Sequence, residues 1–226
     1  MLEVCWKPRS PYISVWQQMQ DFTRSRGPET KDQIWLLEHN PVYTLGRAGK
    51  REHIIDSGEI EVIQCDRGGQ VTYHGPGQLV AYCLIDLRRY HLFVKEYVEL
   101  LENVLIALLG NFGIKGQRLP GAPGVYVPTP YQHNTDASRM RLAKIAALGI
   151  KVTNGCTYHG LALNVDMDLT PFEGINPCGY EHMPTTDLNT CGVALTIKEA
   201  GDMLAQHLKS AIISYKQKKL SYGGAQ

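Results

Sequence analysis

Apolar residues along this chain fall into two kinds of spacing. Between Phe93 and Phe112, Val94, Val98, Leu101, Val104, Leu105, Leu108 and Leu109 recur at helical intervals. That period predicts a helix whose stripe belongs to a core, not to a binding groove, with Gly113 placed to stop it. A shorter helix is expected to start at Ser10-Pro11, carry Ile13, Val15, Trp16 and Met19, and end at Gly27-Pro28. A last helix is expected over Thr196 to Lys216, where Thr196 and Glu199 have capping-box spacing; residues 221–226 read as a loose tail.

The other apolar residues lie in short runs: Ile34 to His39, Glu61 to Cys65, Gln70 to His74, Leu79 to Asp86, Gly124 to Val127, Leu142 to Val152 and Leu161 to Val165. Runs this short, bounded by Gly, Pro and polar residues, read as strands. Val42 to Leu45 either extends the first run or opens a new strand after Pro41. The polar stretch of residues 128–139, with Tyr131, His133 and Asp136, reads as an inserted hairpin loop on the surface. Strands outnumber helices without a repeating strand–helix alternation. The expected class is therefore α+β, a mixed, mostly antiparallel sheet flanked by helices. No linker divides the chain, so residues 1–226 are expected to form a single domain.

Composition narrows the functions. A 43% hydrophobic content over 226 residues suits a sizeable core, and a net charge of +1 gives no global drive toward nucleic acid or membrane. The six cysteines lack CxxC pairing and the histidines lack metal-ligand spacing, so no metal is expected. No signal core opens the chain, which points to free thiols, a cytoplasmic location and, by default, a monomer.

The stretch Arg67 to Gln78 is dense in special residues. Gly68, Gly69, Gly75 and Gly77 surround Arg67 and His74 and lead into the strand at Leu79. Glycine admits a ligand or a second backbone at close range, and Arg67 and His74 are suited to a polar group or anion. Farther on, Pro177 and Gly179 bracket Cys178, a placement that exposes a sulfur to backbone N–H groups. A free thiol titrates near ~8.5, so a nucleophilic role benefits from a nearby cation, for which Lys144 is a candidate. Taken singly, Cys178 reads as an inert half-buried thiol and Lys144 as a solvated strand-edge lysine.

In combination these residues resemble the octanoyltransferases of lipoate synthesis, also called lipoyl(octanoyl) transferases. The resemblance rests on Arg67 to Gln78, on His39-Asn40-Pro41-Val42-Tyr43-Thr44-Leu45-Gly46-Arg47, on Lys144 to Gly149, on His159 to Val165 and on Asn176-Pro177-Cys178-Gly179-Tyr180. Their order and spacing match from about Ile34 to Thr190. The resemblance implies a biotin/lipoate protein ligase-like fold. It implies Cys178 as the acyl-thioester nucleophile and Lys144 as its partner. Substrate-binding residues would be Arg67, Gly68, Gly69, Gln70, Val71, Thr72, Tyr73 and His74, then Ala147, Leu148 and Gly149, then Gly160, Leu161 and Ala162. The donor would be octanoyl on the phosphopantetheine arm of acyl carrier protein, with no cofactor of the enzyme's own. The acceptors would be lysines of lipoyl domains in 2-oxoacid dehydrogenase complexes and of the glycine cleavage H protein. Lys144 would protonate the departing thiol and later take the proton of the incoming amine.

Two relatives of different chemistry share the fold. An ATP-dependent lipoate or biotin protein ligase needs no nucleophilic cysteine, and Pro177-Cys178-Gly179 argues against it. An amidotransferase moving octanoyl between lipoyl carriers matches Arg67 to Gln78 and the Lys144 motif less well. A non-catalytic carrier-protein binder would not keep both Lys144 and Cys178. His159 is expected to support the site by hydrogen bonding more than as a general base; His39 and His53 are at least as much structural. Arg88, Arg89, Arg139, Arg141 and Lys151 are candidates for a basic face toward an acidic carrier, though each alone reads as ordinary solvated charge.

Overall fold

The computed structural model describes residues 2–129, 141–176 and 183–223. Ten strands and three α-helices are described: β1 (Leu2–Trp6), α1 (Tyr12–Arg24), β2 (Asp32–Leu37), β3 (Val42–Leu45), β4 (Val62–Gln64), β5 (Val71–His74), β6 (Gln78–Leu84), α2 (Val94–Gly110), β7 (Gln117–Leu119), β8 (Ala122–Thr129), β9 (Arg141–Thr153), β10 (Cys156–Asn164) and α3 (Ile197–Gly223). Seven strands form one sheet in the order β1-β2-β6-β10-β9-β8-β7, parallel between β1 and β2 and antiparallel across its other pairs. The class is α+β with a mixed, mostly antiparallel sheet. The expectation of one sheet needs correction, because Val42–Leu45 joins neither neighbour in the large sheet. It pairs with β4 and β5 in a separate three-stranded sheet, β4-β3-β5.

Strand alternation builds two cores on the large sheet's opposite faces. Ile34, Leu36, Leu79, Ala81, Cys83, Leu161 and Leu163 point to one face, where α2 and α3 cover them. Trp35, Leu37, Val80, Tyr82, Leu84, Tyr158 and Ala162 point to the other, where α1 covers only part with Tyr12, Val15 and Met19. A third cluster, Tyr43, Leu45, Val71, Tyr73 and Ile175, lies under the small sheet.

The helices depart from their sequence pattern in instructive ways. In α2 the buried apolar positions are Tyr97, Leu100, Leu101, Val104, Leu105, Leu108 and Leu109, while Val94 is exposed and Val98 lines a cavity. The core stripe is thus rotated from the expected one at its first turn. Ser10 does not cap α1; its carbonyl is taken by His39 Nδ1 at 2.9 Å. That helix ends at Arg24, before Gly27-Pro28. The Thr196–Glu199 box forms, with Glu199 N donating to Thr196 Oγ1 at 3.2 Å and Thr196 N to Glu199 Oε2 at 2.9 Å. Helix α3 then continues through Gly223, so Ser221 belongs to the helix and not to a loose tail. Pro128 and Thr129 of the expected insertion belong to β8 and not to a loop, and its residues 130–139 lie outside the described residues.

The packing makes a paired prediction on α3. Ile212 is fully buried and Ile213 is 50% exposed. Ile212→Ala should cost about 2–5 kcal/mol in urea unfolding. Ile213→Ala should stay within about 0.5 kcal/mol of the parent.

Candidate active site

A cavity of about 190 Å³ draws its wall from both sides of the large sheet, with Tyr12, Val80, Tyr82 and Ala162 from the α1 side and Val98, Leu148 and Leu161 from the α2 side. The sequence candidates Arg67, Gly68, Gly69, Gln70, Val71, Thr72, His74, Lys144, Ala147, Leu148, Gly149, His159, Gly160, Leu161 and Ala162 all line it. Tyr73 does not. Its ring packs 5.6 Å from Tyr43 and 5.5 Å from Phe172 in the small sheet's own core, because strand alternation turns it away from Thr72 and His74. Cys178 lies in segment 177–182, outside the described residues.

Arg67 does not offer its charge to the cavity as the sequence suggested. Its guanidinium is buried and already engaged. Nε donates to Thr44 Oγ1 at 3.1 Å, Nη1 to the Gly68 carbonyl at 2.9 Å, and Nη2 to the carbonyls of Thr44 at 2.6 Å and Gln70 at 2.7 Å. Five N–H donors in a rigid fork suit this task. The glycines serve the same contact: a Cβ on Gly149 would sit 2.8 Å from the Gly68 carbonyl oxygen and 3.2 Å from Arg67 Cδ.

Lys144 is aimed by a β-bulge. Val125 pairs with Ala146 and Tyr126 with Lys144, so Ile145 is the extra residue in β9. The extra residue reverses the alternation and puts Lys144 and Ala147 on the cavity wall together. Gly124, at φ +140°, clears the path: a Cβ there would lie 2.7 Å from Lys144 Cε. The Lys144 ammonium sits 5.4 Å from the centre of the Tyr126 ring. The Lys144 backbone holds the chain that follows segment 177–182, through Lys144 N to Pro184 O at 2.7 Å and Thr186 N to Lys144 O at 3.0 Å. The chain before that segment is tied by Asn176 N to His53 O at 2.8 Å, and His53 Nδ1 meets Gln70 Oε1 at 2.9 Å.

Behind the wall lies a buried polar cluster that the sequence did not reveal as a unit. His39 donates Nδ1–H to the Ser10 carbonyl, so its Nε2 accepts from Tyr82 OH at 2.6 Å. His74 donates from Nδ1 to Gln78 Oε1 at 2.7 Å. Gln78 Nε2 donates to Asn164 Oδ1 at 2.9 Å, and Asn164 Nδ2 to the Thr186 carbonyl at 2.9 Å. This directed chain links the Gly-rich motif to the backbone beside Lys144. Asp66 accepts from Trp16 Nε1 at 2.9 Å, from His159 Nε2 at 2.9 Å and from Tyr158 OH. Burial alone would raise the Asp66 carboxyl, but these donors hold it well below the usual carboxylate range. Burial pushes His39 down to about 4 and His74 down to about 3, and it also lowers His159. His159 takes a left-handed φ of 60°, a conformation costing about 1–3 kcal/mol for a residue with a Cβ.

Asp66, Tyr12, Tyr82 and Asn164 escaped the sequence reading. Asp66 adjoins Arg67 and Asn164 lies within the His159 to Val165 motif, which were the signals available; for Tyr12 and Tyr82 there was none. The arginines proposed as a basic face are partly occupied. Arg88 pairs with Asp86 at 2.8 Å, and Arg89 donates to the carbonyls of Thr30 at 2.7 Å and Pro28 at 2.6 Å. Arg139 lies outside the described residues. Among the described residues, Cys5, Cys65, Cys83, Cys156 and Cys191 are free thiols, and burial pushes Cys83 up to about 12.

This geometry can be set beside known proteins. Residues 11–209 match the family model of the lipoyl protein ligase A/B catalytic domain. The chain belongs to that family, and it is an acyltransferase. It is 57% identical to the octanoyltransferase of Bordetella petrii over 92% of this chain and 95% of that one. It is 54% identical to the octanoyltransferase of Azoarcus sp. over 88% of this chain and 83% of that one. The fold is similar to a bi-partite lipoate protein ligase from Thermoplasma acidophilum, with TM-score 0.68 and 14% identity over 96% of this chain and 90% of that one. It is likewise similar to lipoate-protein ligase A bound with ATP, with TM-score 0.67 and 14% identity over 96% and 92% of the two chains. Among the described residues no helix is long and apolar enough to cross a membrane.

Two outcomes follow. Arg67→Lys leaves carbonyls of Thr44, Gly68 or Gln70 without a donor, and each should cost roughly 1–3 kcal/mol in denaturant unfolding. Acid should also destabilise the fold. Unfolded imidazoles titrate near ~6.5, whereas folded His39 and His74 stay neutral to about 4 and about 3. The unfolded chain therefore binds more protons as pH falls below ~6.5, and stability present above that pH is lost. The slope is about 1.4 kcal/mol per pH unit for each histidine, read from urea midpoints between pH 7 and 4.5.

Proposed function

We propose that this chain moves an octanoyl group from octanoyl-acyl carrier protein to a lysine of a lipoyl domain, through a thioester on Cys178, as the first step of protein lipoylation. The observation that carries the reading is one cavity walled by the Gly-rich motif, Lys144, Ala147–Gly149 and Gly160–Ala162, with the chain after the cysteine motif hydrogen-bonded to the Lys144 backbone. The lining is mainly apolar and small, as an acyl chain requires. Each buried CH₂ of that chain contributes about 0.8 kcal/mol, so cavity depth selects chain length.

The chemistry is thioester exchange followed by aminolysis. The Cys178 thiolate attacks the donor carbonyl, a new C–S bond forms, and the pantetheine C–S bond breaks. Lys144 favours the thiolate and supplies the proton that the departing thiol takes. A lysine amine then attacks the acyl-enzyme, and the C–N bond replaces the C–S bond. Exchange between thioesters is nearly neutral and amide formation is downhill, so neither ATP nor a cofactor is required. Burial raises the thiols of Cys83, Cys156 and Cys191, which leaves them poor nucleophiles beside Cys178. The acceptors on this reading are the lipoyl domains of 2-oxoacid dehydrogenase complexes and the glycine cleavage H protein.

Intact mass after mixing with octanoyl-acyl carrier protein, without ATP, tests the reading. One octanoyl adduct is expected on the parent, none on Cys178→Ala, and the adduct should vanish when apo lipoyl domain is added. Absence of an adduct, with lipoyl-domain modification only when ATP and free octanoate are supplied, would make the chain a ligase.

A further inference from the structure

Arg47, Lys50 and Arg51 stand together on the loop that follows β3, all three exposed. Lys50 pairs with Glu52 at 3.1 Å, a contact weakened by solvent because both side chains are more than half exposed. Among the described residues no carboxylate pairs with Arg47 or Arg51. Arg24, Arg26, Arg88, Arg89 and Arg118 each have one. Like charges this close repel, and an anion placed among them relieves the repulsion.

The loop is built into the rim of the cavity. Arg47 N donates to the Arg67 carbonyl at 2.9 Å, and Ala48 N to the Gly69 carbonyl at 3.2 Å. Gln70, part of the cavity wall, holds the next turn. Its Oε1 accepts from Lys50 N at 3.3 Å and meets His53 Nδ1 at 2.9 Å. Gly69 both lines the cavity and is exposed, so the cavity reaches solvent beside these cations. The His53 carbonyl accepts from Asn176 N at 2.8 Å. One loop thus borders the cavity wall and the chain that enters the cysteine motif.

The reading of the function given above supplies an anion of the right kind. The donor arm carries its thioester at one end and a phosphodiester at the other. With the acyl group in the cavity, the phosphate is left outside, on the rim. The acceptor is a lysine, which is cationic at neutral pH and is repelled by such a rim. The sign of the charge therefore favours the donor over the acceptor. We propose that Arg47, Lys50 and Arg51 bind the phosphodiester at the base of the donor's pantetheine arm. A guanidinium offers two parallel N–H donors to two phosphate oxygens, and Lys50 adds a point charge. This loop takes the place of the basic face expected at Arg88 and Arg89, whose charges Asp86 and Asp32 already match. Contacts between exposed charges are screened by salt, so the recognition weakens as ionic strength rises.

The experiment measures binding by calorimetry to full-length Cys178→Ala, which holds a thioester without reacting. Two probes are compared: octanoyl-pantetheine, and octanoyl-phosphopantetheine whose phosphate is capped as a methyl diester. The diester should bind about tenfold tighter at low salt, and high salt should erase the difference. Arg47→Gln combined with Arg51→Gln should abolish the advantage of the diester and leave the affinity for octanoyl-pantetheine unchanged. Both side chains are exposed and the loop is held through its backbone, so the urea midpoint should stay at the parental value. If it falls, Arg51→Gln alone carries the test and should lose part of the advantage. Equal affinity of the two probes, or a diester advantage that survives substitution, would overturn the proposal. Failure of the parent with Cys178 to form an octanoyl adduct would instead overturn the thioester reading, on which the comparison of the two probes does not depend.

Discussion

The site depends on one buried cation. Arg67 is 7% exposed, and its guanidinium draws the carbonyls of Thr44, Gly68 and Gln70 around a single rigid fork. A charge without solvent is costly unless its donors are matched, and here they are matched mainly by backbone oxygens. The result joins the small sheet, through Thr44 on β3, to the Gly-rich turn that walls the cavity. Gly46 and Gly149 lie against the same guanidinium, so the glycines of this region are required by Arg67 at least as much as by any ligand.

From that clamp the rest of the wall follows by strand geometry. The large sheet packs one face against α2 and α3 and the other against α1. The cavity lies around the paired Gly149 and Gly160, with residues of both faces in its wall. β9 and β10 both contribute to its wall, each with a local irregularity there. A bulge at Ile145 aims Lys144, and a left-handed backbone at His159 aims an imidazole. Regular strands would have sent these side chains elsewhere.

The polar cluster behind the wall explains how such a site stays ordered. Donors and acceptors run in a consistent direction from His74 through Gln78 and Asn164 to Thr186. Neutral histidines serve this network, because each ring nitrogen then has a defined role as donor or acceptor. Burial keeps them neutral, and the price is sensitivity to acid. The same chain reaches the backbone partners of Lys144, so the Gly-rich motif and the lysine are coupled through matter and not only through proximity.

Sequence alone determined the strand runs other than β1 and β7, the α+β class, the capping box of α3 and most of the residues that gather at the cavity. These are local or motif-borne features: apolar spacing sets which face is buried, and Thr196 reaches Glu199 without help from the rest of the chain. The tertiary structure decided the rest. It moved Val42–Leu45 into a second sheet, turned Val98 of α2 toward the cavity, carried α3 past Ser221 and put Tyr73 into a separate core. It also decided that Arg67 serves backbone carbonyls and that Asp66 meets His159 across 93 residues of chain. Pairing of this kind depends on which surfaces meet after folding, and a one-dimensional pattern records the faces of an element but not their partners.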